Sequence, residues 1–581
     1  MPFEVSRRDD VLHLTLDTPG SRANIFNRDT ARQTLELMAT VDPRDTRAIV
    51  FRTAKPDSFI NGVGLMLANA ARSHDDVVRV SAELREAFLA VRRSPVPTIA
   101  AIEGTCWGCG VEFVLNCRHR IAADSYLTHF YMTELNDYLF VPLFGATQNL
   151  PSAVGFEDAI ELLLWGQRWD AKRAAERGLV NEVARVDQFD AAVGRFVERV
   201  LAGNVESCLA KPRIAWRPED EAILARAQAR IAELPPAYHT VYTDALELVT
   251  RASRSAVGDE HQELEIEKCA DSSLADVGKA AFAFFYIRQT AAELSRSGAR
   301  RSVERIGFEM PDAELEAFRE ELRERSPRDV VFDAVAQPGD DIVFRPMNSA
   351  VAPGTVATCF TFTAGPGEHD LVLYRPIASR FVELVERERG SGCAVAGYLR
   401  RAGYEVSLSR AGGTFGVNRL LRATLAPVIR DLEATDPASI TSTLRELGFV
   451  RPLADLLRDI DRQALAEILG PMDVRALSRL ERSSRSHGAL RPALIHALTI
   501  SWLGAALDNL ELGGFYHPSF IDLAAREVLD FPLRHVSLCR YLTPARVREA
   551  IAAGSSIAQL VDDGDLHRAE AFLASGARFY R

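Results

Sequence analysis

The chain is poor in the features that mark several protein classes. Eight cysteines in 581 residues are too few for a disulfide framework, so reduced thiols and a cytoplasmic setting are expected. No run of about 18 uninterrupted apolar residues occurs, so no membrane-spanning helix is expected. The opening MPFEVSRRDD has no apolar stretch behind its charges and does not read as a signal peptide. Basic residues are not in excess. A net charge of -11 argues against a nucleic-acid surface, which needs a basic face. The phosphate-gripping turn G-x-G-x-x-G is found nowhere in the chain, so a dinucleotide cofactor such as NAD is not expected.

What is present suits a large multidomain protein. Apolar residues make up 47% and charged residues 26%, and the length exceeds what one core serves. Residues 11–17, VLHLTLD, alternate apolar and polar positions as a half-buried strand does. Pro19-Gly20 ends it. A helix is expected near 29–39, strands at 48–53 and around TIAAIEG, and a helix over 75–92. GTCWGCG then opens the apolar helix VEFVLNC. This strand–loop–helix order predicts an α/β layer structure. Residues 216–300 read as charged helices, 337–367 as an irregular or short-stranded Gly/Pro-rich connector, and 376 onward as mainly helical.

Two loops have the composition of an oxyanion site: Phe59–Leu65, FINGVGL, and Trp107–Glu112, WGCGVE. Enolate chemistry on a thioester needs backbone N–H groups aimed at one oxygen. Glycine allows that close approach, and a helix start favours negative charge. Each loop alone is equally a tight packing turn. Cys106-Trp-Gly-Cys109 also spells CxxC, with Cys117 and His119 nearby. A redox pair or a metal site is the weaker reading, because no thioredoxin pattern surrounds it.

Taken in order, these segments resemble the crotonase (enoyl-CoA hydratase/isomerase) superfamily. FINGVG is similar to its FIAGAD-type loop, GCGVE to GGGCE, Thr133-Glu134 to the PE segment, and Pro142–Leu150 to PGxGGTQRL. GLVNEV at Gly178–Val183 matches the closing stretch letter for letter. The resemblance implies a ββα-repeat spiral and an acyl-CoA or acyl-carrier thioester as ligand. It implies an oxyanion hole from the N–H groups of Val63 and Cys109. Glu112 would activate water, and Glu134 would exchange a proton with the alpha carbon. Asn24, Gly62, Gly108 and Gly110 would line the substrate; no metal or cofactor is implied. Syn addition of water needs one group to take a proton and one to give it, which suits two carboxylates. Departures from the pattern are Cys109 at a usual glycine, Leu143 after Pro142, Gly64 at a usual aspartate, and a longer interval from Glu112 to Glu134. They predict a reshaped acyl pocket.

Beyond residue 200, LPPAYHTVYTDALELV and LEIEKCADSSLADVGKAAFAFFYIRQ resemble the linker of the fatty-acid oxidation alpha subunit. RPIASRFVELV at 375–385, GTFGVNRLL at 413–421 and the apolar stretch 493–514 resemble the later half of its 3-hydroxyacyl-CoA dehydrogenase. In that alignment Val372 stands at the catalytic histidine, while Glu383 and Asn418 are kept. The implied organisation is a crotonase core over 1–200, a helical linker covering its site over 201–300, an irregular connector over 301–370 in place of the NAD-binding half, and a helical dehydrogenase remnant over 371–581. Dehydrogenase activity is expected to be lost, since valine cannot accept a hydroxyl proton. The expected activity is a hydratase or dehydratase, with an isomerase or a non-catalytic thioester-binding scaffold as alternatives. A homo-oligomer or a thiolase-like partner subunit is the assembly implied.

Overall fold

A computed structural model describes residues 2–580 except positions 22, 56, 64–72, 126, 211–213, 235, 295–304, 309–312, 327–329, 334–336, 338–341, 347–356, 362–370, 376–379, 387–388, 390–391, 411–414, 450–452, 461, 471, 473, 482–487, 513 and 533–534. The chain divides into two units, Met1–Ala281 and Phe282–Arg581. The division falls inside the expected 201–300 linker. Most of that linker folds with the first unit.

The first unit is built on two sheets. The larger has six strands: β1 (Phe3–Arg8), β2 (Val11–Leu16), β3 (Ala48–Thr53), β5 (Thr98–Ile102), β7 (His119–Asp124) and β10 (Glu182–Arg185), in that order across the sheet. β1 and β2 run antiparallel, and the rest are parallel. β3 shows why the layers form. Ala48 and Val50 face the helix Phe189–Leu201 in one apolar core. The intervening Phe51 points the other way and meets Phe113 edge-on at 5.0 Å, as the two-residue strand period requires. Phe113 belongs to the helix Cys109–Leu115 and also packs on Phe26 and Phe88.

The smaller sheet positions the candidate site. Its order is β4 (Ser58–Asn61), β6 (Thr105–Trp107), β8 (His129–Tyr131) and β9 (Trp169–Asp170). β4, β6 and β8 are parallel, with Asn61 opposite Trp107 and Trp107 opposite Tyr131. Helices Pro218–Glu233, Pro236–Arg254 and Asp259–Leu274 complete the unit.

The second unit corrects the sequence reading. The interval 301–370, expected to be an irregular connector, contributes β11 (Arg305–Phe308), β12 (Val331–Asp333), β13 (Ile342–Pro346) and β14 (Ala357–Thr361). With β15 (Leu371–Tyr374), β16 (Phe381–Glu386) and β17 (Glu405–Arg410) they form a seven-stranded sheet of order β12-β11-β13-β14-β15-β16-β17. Only the β15–β16 pair is antiparallel. The region expected to be helical from 371 therefore starts with strands of this sheet. Helices dominate from Gly416 onward. At its centre Trp502 is fully buried and donates its indole N–H to Thr424 Oγ1 at 2.9 Å. The helix Pro492–Glu511 that carries it is, among the described residues, the one long and apolar enough to cross a membrane by length and composition. Yet 67% of its apolar window is buried within the protein, as in the core helix of a folded domain.

Candidate active site

The two loops expected to form the oxyanion site follow β4 and β6, which are paired. Beyond β4, Val63 forms an isolated parallel bridge with Phe26, in which Phe26 N–H donates to the Gly62 carbonyl at 3.0 Å. In a parallel bridge the opposed residue's own N–H points away from its bridge partner. Two residues beyond Trp107, Cys109 is the first residue of its helix. A first-turn N–H has no acceptor within its own helix. Among the described residues neither the Val63 nor the Cys109 N–H donates a hydrogen bond. Gly64, next in the loop, lies outside the described residues.

Glycine is required on the Cys109 side. Gly108 has φ +53, and a methyl group there would lie 2.6 Å from Glu134 Oε1. A methyl group on Gly110 would lie 2.2 Å from the Ile60 carbonyl oxygen, so the helix start rests directly on β4. The side chain of Cys109 is buried, and burial pushes its thiol well above the usual range, as it does for Cys106. Neither is a thiolate poised for redox exchange.

Glu112 and Glu134 are both buried. Glu112 lies one turn into the Cys109 helix and accepts the Leu143 N–H at 2.8 Å. Burial pushes its carboxyl well above the usual range; Glu134 adds to this, and the Leu143 hydrogen bond opposes it. Glu134 follows β8, and Gly108 N–H donates to Tyr131 O at 2.8 Å. The strand pairing thus carries Glu134 back to Gly108 despite the longer interval from Glu112. Burial raises its carboxyl to about 7, opposed by hydrogen bonds from its own and Thr133's backbone. Its Oε2 is buried without a hydrogen-bond partner among the described residues. Such an atom, on a side chain beside the Gly108 turn, is available to a ligand's proton.

Asn24 has a different part. Its Nδ2 donates to Leu16 O, Thr53 Oγ1 and Ser58 O, and its Oδ1 accepts from Thr18 N–H. Both polar atoms of the amide are thus engaged inside the protein, and Asn24 braces the loop before β4. Gly62 contributes its carbonyl to the Phe26 bridge, and among the described residues nothing lies within 4 Å of its Cβ side.

The structure adds residues to which sequence reasoning gave no role. His261 and Glu265, on the helix Asp259–Leu274, are fully buried. Glu265 accepts Gly145 N–H at 2.8 Å, Thr147 N–H at 2.9 Å and the Thr147 hydroxyl. The signal was available: His261, Glu265 and Cys269 recur every four residues, a polar stripe at helical spacing on a face that is buried.

In the second unit Glu383 accepts the N–H groups of Gly416 and Val417 at 2.8 and 2.9 Å and the Ser409 hydroxyl at 2.6 Å. It caps the helix Gly416–Ala434. Asn418 accepts the Tyr374 hydroxyl at 2.7 Å, and Val372 is buried in β15.

Residues 6–211 match the family described as enoyl-CoA hydratase/isomerase. That part of the chain is a domain of the crotonase superfamily. The chain resembles, in particular, the fatty acid oxidation complex subunit alpha of Shewanella loihica, at 28% identity over 255 residues. The match covers 43% of this chain and 34% of that protein, about a third of the relative's length. Among solved structures, an enoyl-CoA hydratase of Bacillus anthracis is 23% identical, with 47% of this chain and 91% of that one covered and a TM-score of 0.33. A Thermobifida fusca protein solved in complex with CoA is 25% identical, with coverage of 43% and 93% and a TM-score of 0.32. DspI of Pseudomonas aeruginosa is 27% identical, with coverage of 36% and 82% and a TM-score of 0.32.

Proposed function

We propose that the first unit is a hydratase/dehydratase acting on an acyl thioester, with CoA or a carrier protein as the thiol portion. The carrying observation is the pair of buried, raised carboxylates, Glu112 and Glu134, at the Gly108–Cys109 turn. The N–H groups of Val63 and Cys109 hold the thioester oxygen. In hydration Glu112 takes a proton from water as its oxygen bonds to the beta carbon. The double-bond electrons move to the thioester oxygen as an enolate, and Glu134 then gives a proton to the alpha carbon. One carboxylate gains a proton and the other loses one, and both exchange with solvent between turnovers. Dehydration runs the same steps backwards. The productive pair therefore holds a single proton in either direction, a state that mutual repulsion and burial favour near neutral pH.

An isomerase needs only one proton-shuttling carboxylate, so a second buried one at the turn favours the lyase. We assign no dehydrogenase activity and no NAD to the second unit. Val372 offers no base, and Glu383 is occupied as a helix cap. An assembly role, with copies of this chain or a thiolase-like subunit, suits that unit. The cytoplasm, where thiols remain reduced, suits the chain.

The test is turnover of crotonyl-CoA and of 3-hydroxybutyryl-CoA by the full chain and by Glu112→Gln and Glu134→Gln. Each substitution keeps size and removes proton transfer, so losses of about 100- to 10,000-fold are expected at both positions. Loss at Glu134 alone, with double-bond migration in a 3-enoyl-CoA retained by Glu112→Gln, selects the isomerase. Retained turnover in both variants overturns the two-carboxylate mechanism and favours the scaffold.

A further inference from the structure

The helix Asp259–Leu274 grips the segment that orients Glu112. Ser272 Oγ accepts Val141 N–H at 3.0 Å. Four residues on, Glu265 Oε2 accepts Gly145 N–H at 2.8 Å, and its Oε1 accepts Thr147 N–H at 2.9 Å together with the Thr147 hydroxyl. Because that hydroxyl donates to Glu265, it accepts from His261 Nε2, 2.9 Å away. Burial holds the His261 imidazole down at about 4, so it is neutral and carries its proton on Nε2. Between these anchors Leu143 N–H donates to Glu112 Oε1 at 2.8 Å.

The anchored segment needs holding. Phe144 has φ +54, a left-handed conformation that is strained in a bulky residue. Its ring stacks on Phe88 at 4.4 Å. Stacking alone leaves the backbone N–H groups on either side unsatisfied. Glu265 satisfies two of them, and it does so from a helix that lies outside residues 6–211, the part matching the hydratase/isomerase family.

We infer that Glu265 is a positioning residue for Glu112: it fixes the 143–147 segment so that Leu143 N–H holds the Glu112 carboxylate in the geometry water activation needs. The inference rests on the hydratase/dehydratase reading for its effect on turnover, and on the hydrogen bonds alone for its effect on the loop. Glu265→Gln turns one acceptor oxygen into a donor facing Gly145 N–H or Thr147 N–H. Thr147→Val removes the hydroxyl link and keeps the shape.

The test uses the full chain, crotonyl-CoA as the probe, and amide hydrogen exchange over residues 141–149. For Glu265→Gln we expect faster exchange in that segment and kcat down about 10- to 100-fold with KM little changed, as for a misplaced catalytic group. Thr147→Val is expected to show the same pattern more weakly. In a double-mutant cycle, Glu265→Gln should add little to Glu112→Gln, because both act through one carboxylate. Unchanged exchange in both variants overturns the inference. Wild-type kcat in Glu265→Gln, or losses that simply add in the double variant, overturns it as well. If Glu112→Gln itself turns over as fast as wild type, the hydratase reading fails, and the positioning role of Glu265 fails with it. Glu112→Gln inactive beside a fully active Glu265→Gln sinks the positioning role alone.

Discussion

On the proposed mechanism Glu112 and Glu134 set the pH behaviour of the site. With Glu134 raised to about 7 and Glu112 raised well beyond the usual carboxylate range, the pair is doubly protonated in acid. It then has no base for either direction. As pH rises through about 7 the pair loses its first proton, and the active, singly protonated form appears. The expected kcat/KM profile for crotonyl-CoA therefore climbs with a midpoint near neutrality and falls again where the second proton leaves. A profile that is level from about pH 5 to about 9 contradicts the shared-proton pair. Both carboxylates were legible in the sequence because their loops carry recognisable neighbours. Glu265 was not assigned: its four-residue spacing from His261 and Cys269 was visible, but a carboxylate in LEIEK reads as solvated unless that stripe is given weight. Asn24 was read as a substrate contact, but the number of backbone partners within its reach decides its part, and sequence does not report that number.

At the level of elements, the start of the Cys109 helix lies so close to β4 that Gly110 has no room for a side chain. Gly110→Ala would place a methyl group 2.2 Å from the Ile60 carbonyl, an obstacle made of backbone. We expect the substitution to cost about 1–3 kcal/mol, read as a lower denaturation midpoint, and to depress turnover by moving the Cys109 N–H. A midpoint equal to wild type would mean that β4 and the helix do not touch as described. Among the first-unit strands β2, β3 and β5 were legible, because VLHLTL alternates and AIVF and TIAAI are short apolar runs. Short strands were allowed for only within 337–367, where β13 and β14 lie, and those at Arg305–Phe308 and Val331–Asp333 were missed, for a physical reason. RIGF, VFD, IVFRP and ATCFT are three to five residues long, too short to show a period. The missing glycine fingerprint bears on phosphate binding, and it was read too broadly as bearing on the sheet.

On the scale of the whole molecule, the second unit keeps a mostly parallel seven-stranded sheet, the kind of layer that elsewhere holds dinucleotides at the ends of its strands. A sheet does not make a site. G-x-G-x-x-G is absent from the sequence, and the valine at 372 lies in the sheet's interior. Calorimetric titration of the full chain with NADH is expected to show no saturable heat. Binding in the micromolar range would return the second unit to the dehydrogenases and reopen the role of Asn418.

The seven described thiols, at Cys106, Cys109, Cys117, Cys208, Cys269, Cys393 and Cys539, are all buried, and they are divided between the two units. A maleimide cannot reach them in the folded molecule, so whatever it consumes at these positions counts openings of the structure. Mass spectrometry of the labelled peptides would then give each region its own opening free energy, with Cys269 reporting on the helix that carries Glu265, and no probe would need to be engineered in.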